Sequence, residues 1–119
     1  MKLTASLLLL ALAAPAFAAK PKLPPYATSI RCSGLAEAAA RREGKGVAFG
    51  RTNYDAAIFW GMAASERARK DGISGARFTA DQEAAASKAG AELDAGSAAA
   101  AAELARCISR VPPLKPKRK

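Results

Sequence analysis

The sequence predicts an all-α protein: a small antiparallel helical bundle stapled by one disulfide. Three observations predict it. Alanine dominates, with 26 in residues 19–119; it has the best intrinsic helix propensity, and the β-branched residues that favour strands are few. The larger apolar residues recur at helical rather than alternating spacing. Two cysteines, Cys32 and Cys107, stand towards opposite ends of the helical region.

The chain opens "MKLTASLLLLALAAPAFA". Lys2 is followed by an uncharged apolar run from Leu3 to Ala14, then Pro15 and the small residues Ala16 and Ala18 around Phe17. This is the three-part pattern of a secretory signal over residues 1–18, with cleavage expected after Ala18. A membrane-spanning helix needs about 20 apolar residues, and Pro15 ends this run early. The mature protein is therefore expected to be periplasmic or secreted, with no transmembrane segment. Residues 19–28, "AKPKLPPYAT", read as a Pro/Lys-rich linker.

A helical domain is expected over 29–111. The first helix is placed at 29–43, where Glu37 and Arg41 form an i, i+4 pair in the favourable order. "GKGVAFGRT" follows as a glycine-punctuated connection, with Val47 and Phe49 expected to turn inward. The second helix is expected to start at Thr52, with Asp55 completing a capping arrangement, and to stop at Gly72. Ile58, Phe59, Met62 and Ala63 share one face of it, taken as the buried one, with Trp60 and Ala64 beside them.

The third helix is expected to begin at Thr79-Ala80-Asp81-Gln82, which has the form of a capping box. From there the pattern is ambiguous. Leu93, Ser97, Ala100, Leu104, Cys107 and Val111 keep the spacing of one continuous helix, yet "DAGS" at 94–97 places a glycine where a helix would end and a serine where another would begin.

The cysteines bear on that ambiguity. An even count in an exported chain reads as a Cys32–Cys107 disulfide. The chain lacks a C-x-x-C motif and any histidine, so a reactive thiol has nothing to activate it. A continuous helix from 80 to 110 would be about 45 Å long, whereas a disulfide needs Cα atoms within about 7 Å. A simple up-down-up bundle is thus excluded if the bond forms. Two arrangements survive: four helices with a break near Gly96, or three in which the first docks beside the far half of a long last one. We take the four-helix version.

The formal charge of +9 resides mainly in the tails. Residues 23–110 carry 12 basic and 10 acidic side chains, while the terminal "PPLKPKRK" concentrates Lys115, Lys117, Arg118 and Lys119. A nearly neutral body argues against nucleic acid as a partner, since such domains show a basic stripe on a folded face. Residues 112–119 read as a disordered basic tail, with an anionic envelope surface as the sharper alternative.

Catalysis needs groups that move protons, attack, or hold a metal. Histidine is absent. Asp55 and Glu66 fall on one helix face but about 16 Å apart along it, beyond the roughly 5–9.5 Å of glycosidase pairs. Asp81 with Glu83, and Glu92 with Asp94, lack the alternating oxygen ligands of a calcium loop. No enzyme activity, cofactor or metal is expected. The remaining candidate is a partner patch of Tyr54 and Trp60, should Trp60 be exposed beside Tyr54.

The plan of a signal, an all-α body and one cysteine near each end resembles small two-cysteine helical proteins of the bacterial periplasm, acid-stress chaperones among them. "YDAAIFWGMAASERARKDG" is similar to one helix of a tetratricopeptide-like repeat, in a single copy. These likenesses imply an exported helical protein and carry no site residues. The expected function is a non-enzymatic interaction or structural protein whose partner is an envelope protein. The alternative is a stress chaperone or anionic-surface binder that uses the basic tail.

Overall fold

A computed structural model describes residues 22–43 and 51–113. They form four helices and no strand: α1 (Tyr26–Arg42), α2 (Arg51–Lys70), α3 (Gly75–Asp94) and α4 (Ala98–Ser109). The signal segment 1–18, the 44–50 connection with Val47 and Phe49, and the tail residues Lys115, Lys117, Arg118 and Lys119 lie outside the described residues.

Each boundary has a local cause. α1 starts three residues before the expected 29, so the linker is shorter than the reading of 19–28 allowed. Pro25 holds the cap position at φ −54° and ψ 149°, and its carbonyl accepts from Ser29 N–H at 3.0 Å. A proline at a helix entry sacrifices no intrahelical bond, because that N–H has no partner within the helix. The pull for early entry comes from Tyr26, whose hydroxyl donates to Asp81 on α3 at 2.8 Å.

α2 ends as expected. Gly72 takes φ +71°, Ile73 N–H donates to the Ala68 carbonyl at 2.9 Å, and Gly72 N–H reaches Arg69 at 3.3 Å. This is a Schellman closure, in which a left-handed glycine lets two terminal carbonyls find donors. At the other end, Thr52 sits inside the helix rather than capping it.

α3 begins at Gly75, four residues before the expected box at Thr79. Its cap is Ser74, whose Oγ accepts from Arg77 N–H at 3.2 Å. No Glu or Gln stands three residues beyond Ser74, so the two-sided sequence signature is missing although the one-sided bond suffices. Between α3 and α4 the glycine-serine reading holds. Gly96 has φ +71°, Ser97 N–H donates to the Glu92 carbonyl at 3.0 Å, and Ser97 Oγ accepts from Ala100 N–H at 3.1 Å. One helix closes and the next opens within three residues.

α1 is the centre, contacting all three other helices. It runs antiparallel to α2: Asn53 near the start of α2 donates to Glu43 beyond the end of α1, while Gly61 further along lies against Ser33. It runs antiparallel to α4 as well, since Thr28 shares a pocket wall with Arg110 and Arg31 binds Glu103. Against α3 it crosses. A Cβ at Gly34 would lie 2.6–2.8 Å from the backbone carbonyl and Cβ of Ala85, so only glycine permits this approach. Residues before Gly34 reach both ends of α3, Tyr26 to Asp81 and Arg31 to Glu92.

The core is small-residue packing around one large ring. Cys32, Leu35, Ala36, Ala38, Ala56, Trp60, Ala63, Ala89, Ala100 and Cys107 form the buried cluster. Alanine contributes little apolar area per residue but lets helix axes come close, which gains dispersion contacts. The disulfide sits inside this cluster, with S–S 2.07 Å and Cα–Cα 5.5 Å. The break at Gly96 is what allows it: a short α4 folds back and brings its last turn to the second turn of α1.

Candidate functional site

The expected pairing of Tyr54 with Trp60 on the surface does not form. Trp60 is 1% exposed and points into the core, where its Nε1–H donates to the Cys107 carbonyl at 3.0 Å. Phe59 meets it edge-on with ring centroids 5.2 Å apart. The buried face of α2 is therefore Asn53, Ala56, Trp60, Ala63, Ala64 and Ala68, about 160° round the helix from the Ile58/Met62 line. Two residues further along a helix turns the side chain by roughly 200°, so burying Trp60 forces Ile58 and Met62 out.

What replaces that patch is a stripe. Tyr54, Ile58 and Met62 are 60%, 46% and 69% exposed, and their i, i+4, i+8 spacing lines them up along one side of α2. These are the exposed large apolar side chains among the described residues. The face expected to be buried, Ile58, Phe59, Met62 and Ala63, splits: Ala63 is buried and Phe59 packs against the core, while Ile58 and Met62 lie outside with Tyr54.

Beside Met62 the stripe meets a groove of about 520 Å³. Its walls come from the extended segment before α1 (Leu23 and Pro24), from α2 (Phe59, Trp60, Met62, Ala63) and from Pro112 after α4. Lys22, Glu66 and Arg110 carry the charges around it. The Arg110 guanidinium carbon lies 5.3 Å from the Trp60 ring centroid, a cation–π distance. Pro112, the first residue of the expected tail, forms part of the groove wall.

The carboxylates singled out in the sequence are tied up in ion pairs or scattered. Arg31 of α1 forms a two-sided clamp, binding Glu92 of α3 at 2.9 and 2.8 Å and Glu103 of α4 at 3.0 and 3.1 Å. Hydrogen bonds from Arg31 hold both carboxyls below their usual range, and the same bonds push the guanidinium further up. Burial, and then the bond to Asp81, push the Tyr26 phenol up to about 12. Glu66 pairs with Arg69, Asp81 with Arg77, and Asp94 with Arg42. Asp55 sits part-exposed on α2. Cys32 and Cys107 are 4% and 5% exposed and bonded to each other. Among the described residues no group of three or more Cys, Asp or Glu gathers where it would hold a metal ion, and no helix is long and apolar enough to cross a membrane.

No family model, curated protein or solved structure matches this chain.

Proposed function

We propose that this is an exported, non-enzymatic interaction protein that docks a protein partner on the outer stripe of α2. The observation that carries the reading is the placement of Tyr54, Ile58 and Met62 in one exposed line. A domain whose core is mostly alanine has few large apolar side chains, and folding alone gives no reason to leave three of them in water along one helix. An apolar helix face that meets a partner groove uses this spacing of anchors. The non-enzymatic part is supported by a chain without histidine, by thiols bonded to each other and by carboxylates paired with arginines. Export is supported by the signal pattern of residues 1–18 and by a cysteine pair set for a disulfide.

The test is a photo-crosslinking amino acid placed at Ile58 in the exporting host, with the same group at the exposed Ala84 of α3 as control. A discrete protein adduct from position 58 and none from position 84 is the expected result. Equal labelling at both, or none at either, removes the docking reading. Fractionation of the same cells checks export: the protein should be found in the envelope fraction, oxidised and lacking residues 1–18.

A second reading has its own observation, because Pro112, the first residue of the expected tail, lines the groove with the cations Lys22 and Arg110. An anionic envelope surface would meet that end first. Capture that is lost in high salt and on deleting residues 112–119 would favour it over the stripe.

A further inference from the structure

The groove beside Trp60 shares Met62 with the partner stripe but extends away from Tyr54 and Ile58, and has features that packing does not require. Arg31, Arg41, Arg42, Arg67, Arg69 and Arg77 each pair with a carboxylate. Arg106 and Arg110 pair with none among the described residues, and of these two Arg110 lies over the Trp60 ring. That ring is itself fixed by its bond to the Cys107 carbonyl, three residues before Arg110. The exposed guanidinium thus lies over a fixed ring with its hydrogen-bonding fork unpaired among the described residues, and that fork suits carboxylates and phosphates. Lys22 adds a second cation at the same groove, while the one carboxylate there, Glu66, is engaged by Arg69. The walls between these charges are apolar, and the 520 Å³ volume lies within the roughly 300–1,000 Å³ of small-ligand sites.

We infer that this groove binds a single-chain amphiphile with an anionic headgroup. The alkyl chain lies against Leu23, Phe59 and Met62, and the carboxylate or phosphate sits on Arg110 and Lys22. The charge arrangement selects the sign of the headgroup: a cationic amphiphile of equal chain length meets two like charges. The apolar walls select against a headgroup alone, so an inorganic anion gains only exposed, salt-screened contacts.

The experiment is calorimetric titration of the intact, oxidised chain with sodium decanoate below its micelle-forming concentration, with the fluorescence of the sole tryptophan as a second readout. Saturable binding is expected, and decyltrimethylammonium under the same conditions should show none. Arg110→Gln should weaken binding by about tenfold, the size of one charged hydrogen bond. Met62→Glu, at an exposed position, should abolish it without disturbing the fold. Tyr54→Ser with Ile58→Ser should leave it unchanged, which keeps this site separate from the partner stripe. Equal binding of both surfactants, or an affinity indifferent to Arg110→Gln in a folded variant, overturns the inference. So does binding to phosphatidylglycerol vesicles that decanoate does not compete away, since that would place the chemistry on a bilayer surface rather than in the groove.

Discussion

α1 and α3 are both alanine-rich helices of similar length, 17 and 20 residues, and they have opposite fates. α1 buries eight residues, from Ser29 to Ala39, whereas α3 buries Ala89 alone. Alanine content does not separate them, at five of 17 and seven of 20 residues. What does is position: α1 has α2, α3 and α4 packed round it, and α3 leans on α1 across one tight crossing. The same small residues thus act as a close-packing seam in one helix and as a solvated, high-propensity surface in the other. Identical substitutions in the two helices should therefore differ in sign.

The largest effect should come from the bond that ties α1 to α4. Replacing both Cys32 and Cys107 by alanine frees a closed loop of 75 residues. The chain-entropy model assigns such a loop roughly 4–4.5 kcal/mol. Urea unfolding of the oxidised protein and the double variant should show that loss, and a difference below about 1 kcal/mol would mean that packing alone holds α1 in the centre.

Next comes a matched pair of glycines. Gly34→Ala in α1 drives a methyl into the Ala85 backbone, and overpacking of this kind costs roughly 1–3 kcal/mol even after local shifts. Gly90→Ala in α3 meets nothing within 4 Å, so helix propensity alone should decide and raise stability by about 0.5–1 kcal/mol. Thermal melts of the two variants test the sign difference directly, and two shifts in the same direction would contradict the arrangement of α1 as the seam.

A smaller gain is expected at Ser29. Its Oγ is fully buried and has no hydrogen-bond partner among the described residues. Removing an uncompensated hydroxyl should stabilise, so Ser29→Ala is expected to raise the unfolding free energy by roughly 0.5 kcal/mol. A loss at this position would show that the hydroxyl does have a partner.

The weakest effect is electrostatic, because the Arg31 clamp is part-exposed and screened. Glu92 and Glu103 have folded-state values depressed by Arg31. Their contribution is therefore present above the ordinary carboxylate range and lost as pH falls through the depressed values. The urea midpoint should drop more between pH 7 and pH 3 in the parent than in Arg31→Gln. At the alkaline end the raised Tyr26 phenol works oppositely, since its contribution is present below the ordinary value of 10 and lost as pH rises towards about 12. Tyr26→Phe should flatten that limb.

The same comparison explains which parts of the structure were legible in the sequence. The Gly72 stop and the Gly96–Ser97 break could be read directly, because a left-handed glycine and a serine cap act within four residues of themselves. The start of α3 was misplaced because Ser74 caps without an acidic partner three residues on, while Thr79-Ala80-Asp81-Gln82 copies the full signature inside a helix already under way. On α2 the sequence grouped Ile58 and Met62 with Phe59 and Ala63 on the buried side, and only Phe59 and Ala63 lie there. Hydrophobic size favoured burying Ile58 and Met62; the groove with Arg110 over Trp60 depends on residues from both ends of the described body, which no local pattern connects.

The helical class, the three breaks between the described helices and the pair of sulfurs that could meet were thus present in the sequence, with the start of α3 misplaced. Those follow from backbone propensity, capping and the geometry a disulfide demands, all of which are short-range or covalent. Only the tertiary structure decided that α1 lies at the centre and that Trp60, rather than Ile58 and Met62, turns inward. A helix presents several faces of comparable apolarity, and the buried one is chosen by the shape of its neighbour. Here α1 offers small residues, Ser33 against Gly61 among them, so that alanines and one indole ring fit against it.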